Sequence, residues 1–137
     1  MAVQDFSVGQ SATSTRTLSE ADVLAFAQVT GDHNPVHVDS KAAAQSAFGE
    51  RIVHGMLTAS LLSALLASEL PGPGAIYLSQ TLNFLRPVKL GDTVTAHVSI
   101  TAIDAGRCRL TLATTVRNAR GKNVLDGEAV IQLPADG

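Results

Sequence analysis

The run from Gly55 to Leu70, GMLTASLLSALLASEL, limits the possible folds of this chain more than any other segment. It is apolar almost throughout and is interrupted by Thr58, Ser60 and Ser63. A membrane span needs about 20 predominantly apolar residues. This run is shorter and ends at Pro71-Gly72-Pro73-Gly74, so it reads as a buried helix. A helix that is apolar on every side has to be surrounded by the rest of the fold.

The second half of the chain supplies the cover. From Ile76, apolar residues alternate through Leu78, Leu82 and Phe84. From Thr93 the alternation is cleaner: Val94, Ala96, Val98, Ile100 and Ala102 fall on one face, with Thr93, Thr95, His97, Ser99 and Thr101 on the other. Cys108, Leu110, Leu112 and Val116 continue the pattern, and Leu125, Ala129, Ile131 and Leu133 close it. A period of two means strands with one covered face and one more polar face. Leu90-Gly91-Asp92, Asp104-Ala105-Gly106 and Arg120-Gly121-Lys122 mark the turns, which are too short for helical crossovers. The expected architecture is α+β, an antiparallel sheet curled around the Gly55–Leu70 helix, which is the hot-dog arrangement. Such a sheet leaves edge strands open, and pairing with a second copy protects them, so a homodimer is expected.

The chain of 137 residues suits one domain, 1–137, with no internal repeat or dividing linker. Hydrophobic residues at 45% against 16% charged residues exclude a disordered chain. A net charge of −2 argues against a nucleic-acid protein, because phosphate binding is driven by clustered cations. A single cysteine, Cys108, allows no internal disulfide and fits a reducing compartment. Met1 to Gln10 shows no basic-then-apolar block, so a cytoplasmic, membrane-free protein is expected.

The first half is helical and irregular. A short polar strand is expected over Thr13 to Thr17, then a helix capped by Ser19 with Asp22 at the capping-box position. Gly31 is a natural stop, a loop follows from Asp32 to Asp39, and a helix runs from Ser40 to about Phe48, ended by Gly49.

The segment Gly31-Asp32-His33-Asn34-Pro35-Val36-His37 carries the chemistry, because an acid, an amide and an imidazole gather in one turn. Pro35 fixes its own φ and pushes Asn34 away from helix, which stiffens the turn. Asp32 and His37 on such a turn suit paired acid–base work. Asp32 as an ordinary turn residue ending the preceding helix is an open alternative. Metal ligation is another, although the short spacing and Pro35 make three converging ligands awkward.

This segment resembles the G-D-x-N-P-x-H motif of the MaoC-like, (R)-specific enoyl-CoA hydratases. Ile52-Val53-His54-Gly55-Met56-Leu57 resembles the start of that family's central helix, and Asn83-Phe84, Pro87 and Gly91-Asp92 match its later layout. The resemblance covers nearly the whole chain, in order. It implies hydration of a trans-2-enoyl-CoA to a (3R)-3-hydroxyacyl-CoA, with no cofactor and no resident metal. Asp32 and His37 would hold the attacking water, one as base and one as acid, in an order left open. Asn34 would orient the water or the thioester. The N–H of Gly55, at the head of the central helix, would donate to the thioester oxygen. Ser63 would give a supporting polar contact, and Leu62, Leu65 and Leu66 would line the acyl pocket. Arg86 and Lys89 are candidates for coenzyme A phosphates, although scattered surface cations are the commoner explanation. His54 and His97 are weaker candidates, and Cys108 is expected in the core.

Two rival functions remain: an acyl-thioester hydrolase on the same fold, and a non-catalytic acyl-CoA-binding module. A dehydratase acting on acyl carrier protein would keep the chemistry and change the carrier. Fatty-acid metabolism and supply of precursors for polyhydroxyalkanoate storage are both compatible roles.

Overall fold

A computed structural model describes residues 1–134. The last three residues of the expected domain lie outside the described residues. Strand β1 (Ser11–Thr17) leads to α1 (Glu20–Thr30), two short helices α2 (Pro35–Val38) and α3 (Ser40–Ala44), and the long α4 (Gly55–Ser68). Strands β2 (Ile76–Gln80), β3 (Asn83–Phe84), β4 (Thr93–Asp104), β5 (Arg109–Asn118) and β6 (Asn123–Gln132) complete the chain. All pairings are antiparallel, in the order β1-β4-β5-β6-β2, with β3 also paired to β6. The α+β hot-dog architecture is therefore present, with α4 packed on the sheet.

The alternation in the sequence is what forms the core. Val94, Ala96, Val98, Ile100, Leu110, Leu112, Val116, Leu125, Ala129 and Ile131 are buried beneath Ala59, Leu62, Leu65 and Leu66 of α4. Each large aliphatic side chain so covered contributes roughly 1.5–3 kcal/mol. Local signals set the entry to the site. Ser19 Oγ accepts from the Asp22 N–H at 3.2 Å, and Asp22 returns the bond to the Ser19 N–H at 3.0 Å. That N–H holds the Asp22 carboxyl below the usual carboxylate range, opposed by desolvation and helped by Arg16 at 2.8 Å. Gly31 closes α1 at φ +80°, a backbone that side chains rarely adopt.

Several expectations need correction. The loop from Asp32 to Asp39 contains a helical turn, α2, with Pro35 at its first position, where the missing N–H costs nothing. The following helix is shorter than expected and ends at Ala44. A register shift between Ile100 and Ala102 turns Ala102 outward and Ile103 inward. Cys108 lies in the β4–β5 turn at φ +54°, half-buried, and not on a strand face. Finally, α4 is not surrounded: Met56, Ser60, Ser63, Ala64 and Ala67 stand on an exposed face. Among the described residues, no helix is long and apolar enough to cross a membrane.

Candidate active site

The turn after α1 is held to the start of α4 by a ladder of bonds. The Ile52 N–H donates to the Val36 carbonyl at 3.1 Å, Arg51 Nε donates to the His37 carbonyl at 2.7 Å, and the Val53 N–H donates to the Val88 carbonyl at 2.7 Å. These ties bring His37 against residues 52–54, and its side chain is buried.

His37 Nδ1 lies 2.8 Å from the Ile52 carbonyl oxygen. A carbonyl only accepts, so Nδ1 bears the hydrogen and the lone pair of the neutral ring sits on Nε2. Asp32 is exposed, and a carboxylate oxygen of Asp32 and a ring nitrogen of His37 lie within 4.8 Å of each other. A water bonded to both at about 2.8 Å with a tetrahedral angle spans roughly 4.6 Å. The two groups are therefore close enough for a single water to bridge them.

Both residues line a cleft of about 500 Å³ that also takes in Phe48, Ile52, Gly55, Met56, Phe84 and Arg86. Gly55 opens α4, where the first N–H groups have no partner within the helix and favour negative charge. The Phe84 ring lies across it: a Cβ on Gly55 would come 2.7 Å from Phe84 Cε1. Only glycine leaves room there for the ring, or for a ligand in its place.

The other expected site residues are placed differently. Asn34 does not line the cleft. Its Oδ1 accepts from the Val36 N–H at 3.3 Å, so the side chain caps α2 and shapes the turn. Leu62, Leu65 and Leu66 are sealed in the core, at 0%, 1% and 2% exposure, and form its floor, not an open acyl wall. Ser63 lines a second cleft, of about 490 Å³, with Phe26, Ala59, Leu78 and Leu82. Met56 belongs to both clefts and stands between them. Arg86 reaches the main cleft and donates to the Asn123 carbonyl at 2.6 Å, whereas Lys89 lines a smaller neighbouring cleft and pairs with Glu50 at 3.2 Å.

Two residues of this cleft carry more than sequence reasoning gave them: His54 was only a weaker candidate, and Thr58 was not one. His54 is 2% exposed and stacks on His37, with ring centroids 3.9 Å apart. Thr58, one turn into α4, is buried, and its hydroxyl has no hydrogen-bond partner among the described residues. The only signal for His54 was its place immediately before Gly55. Asp32, His37 and His54 also form a group with metal-ligand atoms within 4.8 Å of one another. However, lone pairs in the planes of stacked rings run side by side instead of converging on one ion, and one nitrogen of each ring faces a carbonyl. Hydrogen bonding to water fits this set better than coordination.

Residues 5–121 match the family described as MaoC like domain. The chain is 46% identical to an (R)-specific enoyl-CoA hydratase of Rhodospirillum rubrum over 134 residues, 98% of this chain and 92% of that protein. Among solved structures it resembles an (R)-hydratase from A. caviae involved in PHA biosynthesis, with 46% identity, a TM-score of 0.93, and 96% and 99% of the two chains covered. It also resembles an R-hydratase from Pseudomonas aeruginosa in unliganded form, with 47% identity, a TM-score of 0.92, and 98% and 86% covered.

Proposed function

The chain belongs to the MaoC-like domain family, and from that premise we propose that it is an (R)-specific enoyl-CoA hydratase, acting reversibly on trans-2-enoyl thioesters. The observation that carries this reading is the pairing of His37, its tautomer fixed by the Ile52 carbonyl, with the Asp32 carboxyl less than 4.8 Å away, within reach of one bridging water.

The chemistry follows from that arrangement. Water is a poor nucleophile, and Nε2 of neutral His37 removes its proton as the oxygen attacks C3. The electron pair of the double bond moves toward C2 and the thioester oxygen, where the Gly55 N–H meets the growing charge. The proton taken from the water passes through the Asp32–His37 pair to C2, and the pair returns to its starting state. The sum is one water added, with no electron gained or lost. Nothing in these steps calls for a cofactor or a metal. The acyl tail passes Met56 onto the exposed face of α4, where Ser63 lies. A cytoplasmic setting is in keeping with the lone, half-buried Cys108.

The test is incubation with a panel of enoyl-CoAs of graded length, followed by chiral analysis. Loss of enoyl absorbance with a (3R)-3-hydroxyacyl-CoA product is expected. A (3S) product, or free thiol without hydration, would refute the assignment, and the second result would mark a thioester hydrolase.

The protein also acts as a homodimer in this proposal. Ile76, Tyr77, Leu78 and Ser79 of β2 are exposed on both faces of the strand, beside the bare side of α4. The opposite edge, β1, is polar, with the Thr15–Thr95 and Thr17–Thr93 hydroxyls bonded at 2.9 and 2.6 Å. An apolar, unprotected edge favours pairing with another copy of itself. Light scattering should give twice the mass of one chain for the parent and the mass of one chain for Leu78→Asp. A parent that is monomeric at micromolar concentration would overturn this.

A further inference from the structure

His54 touches both members of the acid–base pair, and the reaction as described leaves it without a part. Its Nε2 lies 3.0 Å from the Asp32 backbone carbonyl, and its ring stacks on that of His37 with an interplanar angle of 26°. Phe26 closes its surroundings, with ring centroids 4.8 Å apart. Since a carbonyl only accepts, Nε2 bears the hydrogen and Nδ1 the lone pair. That Nδ1 is buried with no hydrogen-bond partner among the described residues. A buried acceptor without a partner is costly, and a phenyl ring would fill the same space and stack on His37 without that cost. What the imidazole provides and a phenyl ring lacks is the Nε2–H bond to Asp32.

Asp32 needs such a hold. It lies in the irregular stretch between α1 and α2, exposed, with its own N–H bonded to Thr30 Oγ1 at 3.1 Å. No regular element fixes its carbonyl. His37, by contrast, is secured at Nδ1 by Ile52 and at its carbonyl by Arg51. We propose that His54 is a positioning residue: it grips the backbone of Asp32 and the ring face of His37 at once, and so sets the gap in which the reacting water sits. It touches no reacting atom. A shift of about 1 Å in such a gap can lower a rate by a factor of about 100.

This inference rests on the roles given to Asp32 and His37, and the experiment separates the two. Parent, His54→Phe and His54→Gln are compared with crotonyl-CoA for kcat and KM, together with thermal unfolding. Gln extends its amide nitrogen to about the place of Nε2 and can still donate to the Asp32 carbonyl; Phe cannot. His54→Phe should keep KM and lose about 10- to 100-fold in kcat, with His54→Gln recovering most of that loss. A purely structural role would lower both variants alike or change unfolding without this split. Should His54→Phe not fold, His54→Asn takes its place, since its amide is too short to reach, and the same separation from His54→Gln is expected. Equal kcat in the two variants, unchanged kcat in His54→Phe, or a loss confined to KM would overturn the proposal. A parent that does not hydrate crotonyl-CoA would instead remove the functional reading beneath it.

Discussion

Asp32→Asn and His37→Asn should each fold like the parent and lose crotonyl-CoA hydration by about 10²–10⁴-fold, the usual worth of a positioned acid or base. The His37 variant isolates Nε2. Asparagine places an amide N–H near the position of Nδ1, so donation to the Ile52 carbonyl survives while the lone pair facing the cleft disappears. Asp32→Asn keeps an acceptor oxygen for the Asn34 N–H, now at 3.2 Å, and so preserves the turn. Because the two groups serve one water, the double variant should be little worse than either single one. The measurement is kcat with unfolding checked in parallel. Near-parent turnover in a folded single variant would end the acid–base assignment.

Gly127→Ala should be the most destabilising small change in the molecule. Gly127 lies on β6 under the link between β2 and β3, and a Cβ there would sit 1.8 Å from the Thr81 carbonyl oxygen and 2.7 Å from its carbon. Both are backbone atoms, so no side-chain rotation relieves the overlap. The link must lift. That pulls Gln80 away from Thr114, whose fully buried hydroxyl it meets at 2.9 Å. Overpacking and an orphaned buried hydroxyl together should cost about 3 kcal/mol or more, a fall of roughly 10 °C in Tm. Gly106→Ala is the control, because its Cβ would meet only Asp104 Oδ1, at 3.6 Å. Equal melting of Gly127→Ala and the parent would show that the link is not held against β6.

How much of this was legible in the sequence depended on distance along the chain. Asp32 and His37 are five positions apart and could be read from one turn. Ser19, Asp22 and Gly31 likewise act within a helical turn of their own position, and each was recognised. His54 lies 22 residues from Asp32, and only the folded chain stacks it on His37. No spacing rule foretells that contact. Asn34-Pro35 was legible but misassigned: an Asn followed by Pro is an N-cap and first helical position, and α2 starts there. Along β4, period two holds until the bulge after Ile100, where one extra residue exchanges the faces of Ala102 and Ile103. The α4 helix was read as buried, yet its three leucines were expected along an acyl pocket, and the structure seals them in the core instead.

The two borders of the sheet differ in kind, hydroxyl-rich along β1 and greasy along β2. A subunit with a single adhesive border can join only one neighbour, and the union consumes that border on both. In the proposed dimer, growth therefore stops at an isologous pair, because the polar β1 border offers no apolar surface to bind a further copy.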